Sequence, residues 1–152
     1  MELIEDRVDF FVAKLLDERG FDERCTAFYV EKDHKIVLQE CNKSVCFESC
    51  CNSILKEYNS KDEYNVSAPT IQMAMVWLMQ RGIYISIEPI FSAFIGEPMF
   101  FVVKAYTVNE NNDVSCSKSY MYKCEFITIG ISDVIRYTLE QTKSLKICSN
   151  YQ

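Results

Sequence analysis

Cysteine is the residue type in this chain with the widest chemical reach, and its spacing is uneven. Eight cysteines occur in 152 residues: Cys25, Cys41, Cys46, Cys50, Cys51, Cys116, Cys124 and Cys148. The dense group is Cys41-x4-Cys46-x3-Cys50-Cys51. A structural zinc asks for four thiolate or imidazole ligands in a tetrahedron, usually supplied as two CxxC-like pairs. No such pair occurs, and neighbouring Cys50 and Cys51 point to different sides of a helix or a strand alike. The plainer reading is small apolar residues in a core or an interface. No metal and no cofactor are expected.

A cysteine nucleophile needs a base within hydrogen-bond reach. His34 is the one histidine, set between Asp33 and Lys35 in a stretch that reads as a hairpin turn. Such a residue is expected at the surface, and nothing places a cysteine beside it. The carboxylate pairs Asp17–Glu18 and Asp62–Glu63 read as solvated faces. Glu88 lies on an otherwise apolar strand and points outward by alternation with Ile85 and Ile87. Four scattered glycines exclude a phosphate-cradling loop. Trp77 with Met73, Met75 and Met79 could form an adaptable binding surface, though core packing explains them more simply. Tyr120 and Tyr122 suit an interface and suit ordinary sheet packing equally. These residues assign neither a catalytic nor a binding site.

The elements that would position them follow from periodicity. Ile4, Val8, Phe11, Val12, Leu15 and Leu16 predict a helix over Leu3–Arg19, with Glu2, Glu5 and Asp6 near its positive end and Gly20 as its stop. Phe21 is expected to pack back on Leu16. Cys25–Glu31 and Lys35–Glu40 predict a hairpin about Lys32-Asp33-His34. A short helix is expected near Cys46–Glu57, and the polar stretch Asn59–Asn65 reads as a loop. Ser67-Ala68-Pro69 signals a helix start. The helix Ser67–Gln80 that follows is apolar nearly all round, which predicts burial on most sides. Gly82 ends it, and Ile83, Ile85 and Ile87 alternate in a strand that Pro89 should halt. Phe91–Pro98 predicts a turn pivoting on Gly96, Met99–Val108 a central strand and Tyr120–Phe126 another. Thr128–Leu145 predicts a closing helix. The class expected is α+β: an antiparallel or mixed sheet of about four to five strands, with helices packed mainly on one face. Residues 1–152 read as a single domain, with 41–65 as an insertion or excursion.

At this length roughly 68–70% of the extended-chain surface is buried on folding, enough for a core without staples. The formal charge is −6 and Lys and Arg form no cluster. Binding to nucleic acid or to an anionic membrane is therefore disfavoured. The N-terminus does not read as a secretory signal, and Ile71–Met79 is far short of the ~20 residues of a membrane span. A cytoplasmic location with reduced thiols is expected.

Two stretches carry a resemblance. Val12-Ala13-Lys14-Leu15-Leu16-Asp17-Glu18-Arg19-Gly20-Phe21 is similar to the AKLLKEKGF opening of a family of small uncharacterised proteins from phages and mobile elements of gut bacteria. Ser67-Ala68-Pro69-Thr70, Trp77-Leu78 and Ile83-Tyr84-Ile85 resemble the same family's SAPT…WLRE…I.I helix–strand unit. A closing helix also belongs to the pattern, and together these cover about half the chain. Met79-Gln80-Arg81-Gly82 replaces a more charged turn, and Cys41–Lys61 has no counterpart. The resemblance implies a genomic setting and assigns no residue roles. The function expected is a protein-interaction module, self-associating or binding a host or phage protein. The alternative is an enzyme with a reactive cysteine. A nucleic-acid mimic would need acidic residues in a regular row, which the sequence lacks.

Overall fold

The computed structural model describes residues 6–42, 49–91, 98–117 and 119–142. Cys46, Cys148, the Gly96 turn and the expected helical positions at residues 3–5 and 143–145 lie outside the described residues. The described chain runs α1 (Phe10–Glu18), β1 (Ala27–Lys32), β2 (Lys35–Glu40), α2 (Asn52–Leu55), a 3-10 turn (Lys56–Tyr58), β3 (Glu63–Ser67), α3 (Ile71–Met79), β4 (Ile83–Phe91), β5 (Pro98–Val108), β6 (Val114–Cys116), β7 (Tyr120–Lys123), a second 3-10 turn (Cys124–Phe126) and α4 (Ile127–Gln141). The class is α+β, as expected, and the described strands pair antiparallel throughout. They form two sheets of three and four strands. The chain packs as two compact units, Met1–Ala74 and Met75–Gln152, divided within α3.

In the first unit, α1 starts later than its apolar stripe predicts. Asp9 is extended (φ −70°, ψ 169°) and its Oδ1 accepts the Val12 N–H at 2.9 Å, so the helix begins at Phe10. Before it, Arg7 bridges to Thr70 and its guanidinium donates to the Ala68 carbonyl at 2.7 Å. Asp6 thus lies on an extended segment and gives the helix no charge at its first turn. The far end is as expected. Gly20 takes φ +90°, its N–H bonds Asp17 and the Phe21 N–H bonds Leu16 at 2.9 Å. Phe21 and Leu16 are fully buried, each burial contributing roughly 1.5–3 kcal/mol.

The hairpin forms as predicted. Asp33 and His34 take φ +50° and +61°, the two left-handed positions of a two-residue turn whose twist matches its strands. That turn fixes the register from Lys32 opposite Lys35 to Ala27 opposite Glu40. On the other side of β1 lies β3, with Phe28 opposite Ser67 and Lys32 opposite Glu63. The loop expected at Asn59–Asn65 therefore gives way to a strand from Glu63. Its polar side chains reflect an edge position, and Val66 and Ser67 are buried. Ser67 ends β3 and does not cap α3. Pro69 holds Ala68 out of the helical region, so Thr70 takes over the cap, its Oγ1 accepting the Met73 N–H at 3.2 Å.

Helix α3 is less buried than its composition predicts. Ile71, Ala74, Trp77 and Leu78 are buried, whereas Val76 and Met79 are exposed. In the second unit, β5 pairs β4 along one side and β6 and β7 along the other. Strand β4 does not stop at Pro89. Val108 donates to the Gly82 carbonyl at 2.8 Å, which places Pro89, by alternation, among the positions whose N–H side faces away from β5. A missing donor there costs the ladder nothing. The strand expected at Tyr120–Phe126 ends at Lys123, and its last residues wind into the 3-10 turn before α4. The closing helix forms as Ile127–Gln141 and buries Ile131, Val134, Ile135, Thr138 and Leu139 along one face.

Candidate functional site

Three of the described cysteines, Cys25, Cys41 and Cys50, come together. Cys25 and Cys50 form a reciprocal bridge, with N–H···O distances of 2.7 and 2.8 Å. The Cys41 thiol lies 3.8 Å from the Cys25 carbonyl, and the Cys50 thiol donates to the Ala27 carbonyl at 3.6 Å. Cys51 turns away, its sulfur 3.3 Å from the Ser53 hydroxyl. Among the described residues no group of three or more His, Cys, Asp and Glu side chains has the geometry to hold a metal ion. Burial pushes the Cys25 thiol up to about 11 and raises Cys50 further. Both are held as neutral thiols, the opposite of what a nucleophile needs.

His34 lies where the turn puts it, lining a shallow cleft of about 280 Å³ with Glu31, Asp33, Ser60, Lys61, Asp62, Glu63 and Tyr64. Among the described residues no cysteine lines that cleft. Asp62 and Glu63 are surface groups, as expected, but Asp17 is not. It is buried, accepts the Tyr64 hydroxyl at 2.9 Å and pairs with Lys56 at 3.0 Å. Burial, and then the Asp17 carboxylate, raises the Tyr64 phenol. Glu88 points outward as predicted and meets Lys104 at 2.9 Å, which lowers its pKa. Trp77 is buried with the Arg81 guanidinium 3.7 Å over its ring. Tyr122 donates to Asp133 at 3.0 Å and Tyr120 packs edge-on against Tyr137, so both tyrosines brace α4.

The feature that sequence reasoning missed is a difference between sheet edges. An edge strand exposes unpaired N–H and C=O groups, which proteins ordinarily cover, shorten, bend or interrupt with proline. Strand β3 is covered: Asn59 Oδ1 accepts the Asn65 N–H at 2.6 Å, and Asn52 Oδ1 accepts the Ser67 N–H at 2.8 Å. The Glu63 carbonyl accepts Ser60 at 2.9 Å. Strand β4 carries Pro89 and a register shift at Ile90/Phe91. Strands β6 and β7 are three and four residues long.

Strand β2 has none of these devices. It pairs β1 along one side only and is regular from Lys35 to Glu40. Cys41 donates to the Thr26 carbonyl at 2.8 Å, so Gln39, Val37 and Lys35 share its phase and bond toward β1. Ile36, Leu38 and Glu40 then direct N–H and C=O to the open side. Among the described residues nothing pairs with them. Ile36, Val37 and Leu38 are 42, 59 and 46% exposed. The signal was present in the sequence as three consecutive branched residues between Lys35 and Gln39. Only the sheet order shows that they lie on an edge.

Among the described residues no helix is long and apolar enough to cross a membrane. Compared with family models, curated proteins and solved structures, the chain finds no match.

Proposed function

We propose that the protein is a protein-interaction module that docks a partner strand along the open edge of β2. The observation that carries this reading is the contrast just described: the other described edges are capped, interrupted or short, whereas this one is regular and apolar and is paired by nothing among the described residues. Strand addition draws its affinity from main-chain hydrogen bonds and its selectivity from alternate side chains. Strand β2 offers both, with Ile36 and Leu38 presenting the bonds and Val37 the opposite face. A cytoplasmic setting, as expected from the sequence, belongs to the same reading, as does a phage or mobile-element origin, which rests on the resemblance.

The test is a titration of isotope-labelled protein with a cyclic β-hairpin peptide of alternating valine and threonine, preorganised so that little ordering opposes binding. Amide shifts confined to Ile36, Leu38 and Glu40 are the expected result. Leu38→Pro removes one open-side donor while sparing the bonds to β1, and abolishes those shifts. Shifts centred elsewhere, or none at millimolar peptide, overturn the reading.

A further inference from the structure

We infer that the strand docking on β2 is β2 of a second copy of this chain, paired antiparallel about a two-fold axis at Val37. The inference rests on the strand-docking reading above and names its partner. Two copies in one continuous antiparallel sheet are related by an axis perpendicular to it, so residue pairs across the seam have an even, constant sum of numbers. The open-side groups of Ile36, Leu38 and Glu40 limit the choice further, because hydrogen-bonded pairs must join these residues to one another.

Centring on Val37 satisfies every condition. Ile36 of each copy exchanges main-chain bonds with Leu38 of the other, and the two Val37 side chains meet on the opposite face. Lys35 then stands across from Gln39. Glu40 then falls opposite His34 of the other copy's turn, so no like charges are set directly across the seam within the strands. Shifting the axis to Leu38 sets Ile36 against the Glu40 carboxylate. Shifting it to Ile36 sets Val37 against Lys35 and shortens the overlap. The sequence Lys-Ile-Val-Leu-Gln-Glu at 35–40 is thus self-complementary in one register. A net charge of −6 on each copy opposes approach, and salt screens that repulsion.

Sedimentation of the full chain at concentrations on the order of 0.1 mM, suited to a seam smaller than a standard interface, is expected to show a monomer–dimer equilibrium that tightens as salt is raised. Val37→Lys, at an exposed position that leaves folding unchanged by circular dichroism, weakens the dimer roughly tenfold or more by facing two ammonium groups across the axis. Register is read by cross-linking. Val37→Cys forms a disulfide-linked dimer on mild oxidation beyond that of the unsubstituted chain. Gln39→Cys does not, because its copies stand about 13 Å apart along the seam. A chain that stays monomeric, or a dimer indifferent to Val37→Lys, or cross-linking at residue 39 in preference to 37, overturns the inference. If the chain is monomeric while the hairpin peptide still shifts Ile36 and Leu38, strand docking stands and only the second copy is lost. If neither binds, both fall.

Discussion

Cys25 shows how one buried side chain ties stability to pH. Its thiol is buried and its pKa is pushed up to about 11, chiefly by desolvation. The folded state therefore holds this proton more tightly than the unfolded chain does. The resulting stability is fully present below about pH 8.5 and is lost as pH rises toward 11, with a slope of up to about 1.4 kcal/mol per pH unit. Urea denaturation at pH 7 and pH 10 checks this, and Cys25→Ala reduces the difference while leaving the share that Cys50 contributes. Gly130 gives a second case. A Cβ there would lie 2.4 Å from Cδ2 of the Tyr122 ring, which the Asp133 carboxylate holds by its hydroxyl. Gly130→Ala gains helix propensity of about 1 kcal/mol but overpacks the contact by about 1–3 kcal/mol. A net loss is expected, visible as a lower melting temperature, and Tyr122→Ala in the same chain turns the substitution favourable. Neither residue announces itself in the sequence. Cys25 owes its property to burial and Gly130 to the ring of Tyr122, and neither is visible from the neighbouring residues in sequence.

At the level of elements, Asn52 is the tie that holds α2 to its surroundings. It is buried, donates to the Phe21 carbonyl at 2.7 Å beyond the end of α1, and accepts the Ser67 N–H of β3 at 2.8 Å. Asn52→Ala removes both bonds and strips buried backbone groups of these partners. A loss of about 2–4 kcal/mol is expected in denaturant unfolding. Asn52→Asp keeps the acceptor for Ser67 but sets a carboxylate against the Phe21 carbonyl, and recovers less than half of it. This tie also explains which elements were legible. The Gly20 stop, the hairpin turn, the alternating isoleucines of β4 and the core face of α4 are local patterns, so periodicity finds them. Strand β3 is not local. Tyr64 and Asn65 read as loop because their apolar content is low, and pairing with β1 makes them a strand. The same holds for α1, where the apolar stripe suggests helix through Val8 but the bridge between Arg7 and Thr70 holds the described residues before Asp9 out of it. For the candidate site, the residues were legible and the openness was not.

Across the whole molecule, the charge count and the edges act on association in opposite directions. A net charge of −6 opposes the approach of two copies at low salt, and in the proposed dimer the apolar edge of β2, unpaired among the described residues, would draw them together at short range. The covered edge of β3 then sets how far association can go. Pairing through β2 produces a sheet ordered β3-β1-β2-β2-β1-β3, whose outer strands are both β3. Each of these is closed by Asn59 and Asn52, so growth terminates after one addition. Asn59 is then one of the chain stoppers that separate a finite particle from an open polymer. Asn59→Ala frees the Asn65 N–H and is expected to convert the dimer into concentration-dependent filaments, read by light scattering. Unchanged scattering in that variant would show that Asn52 and the Ser60 turn suffice to end the sheet.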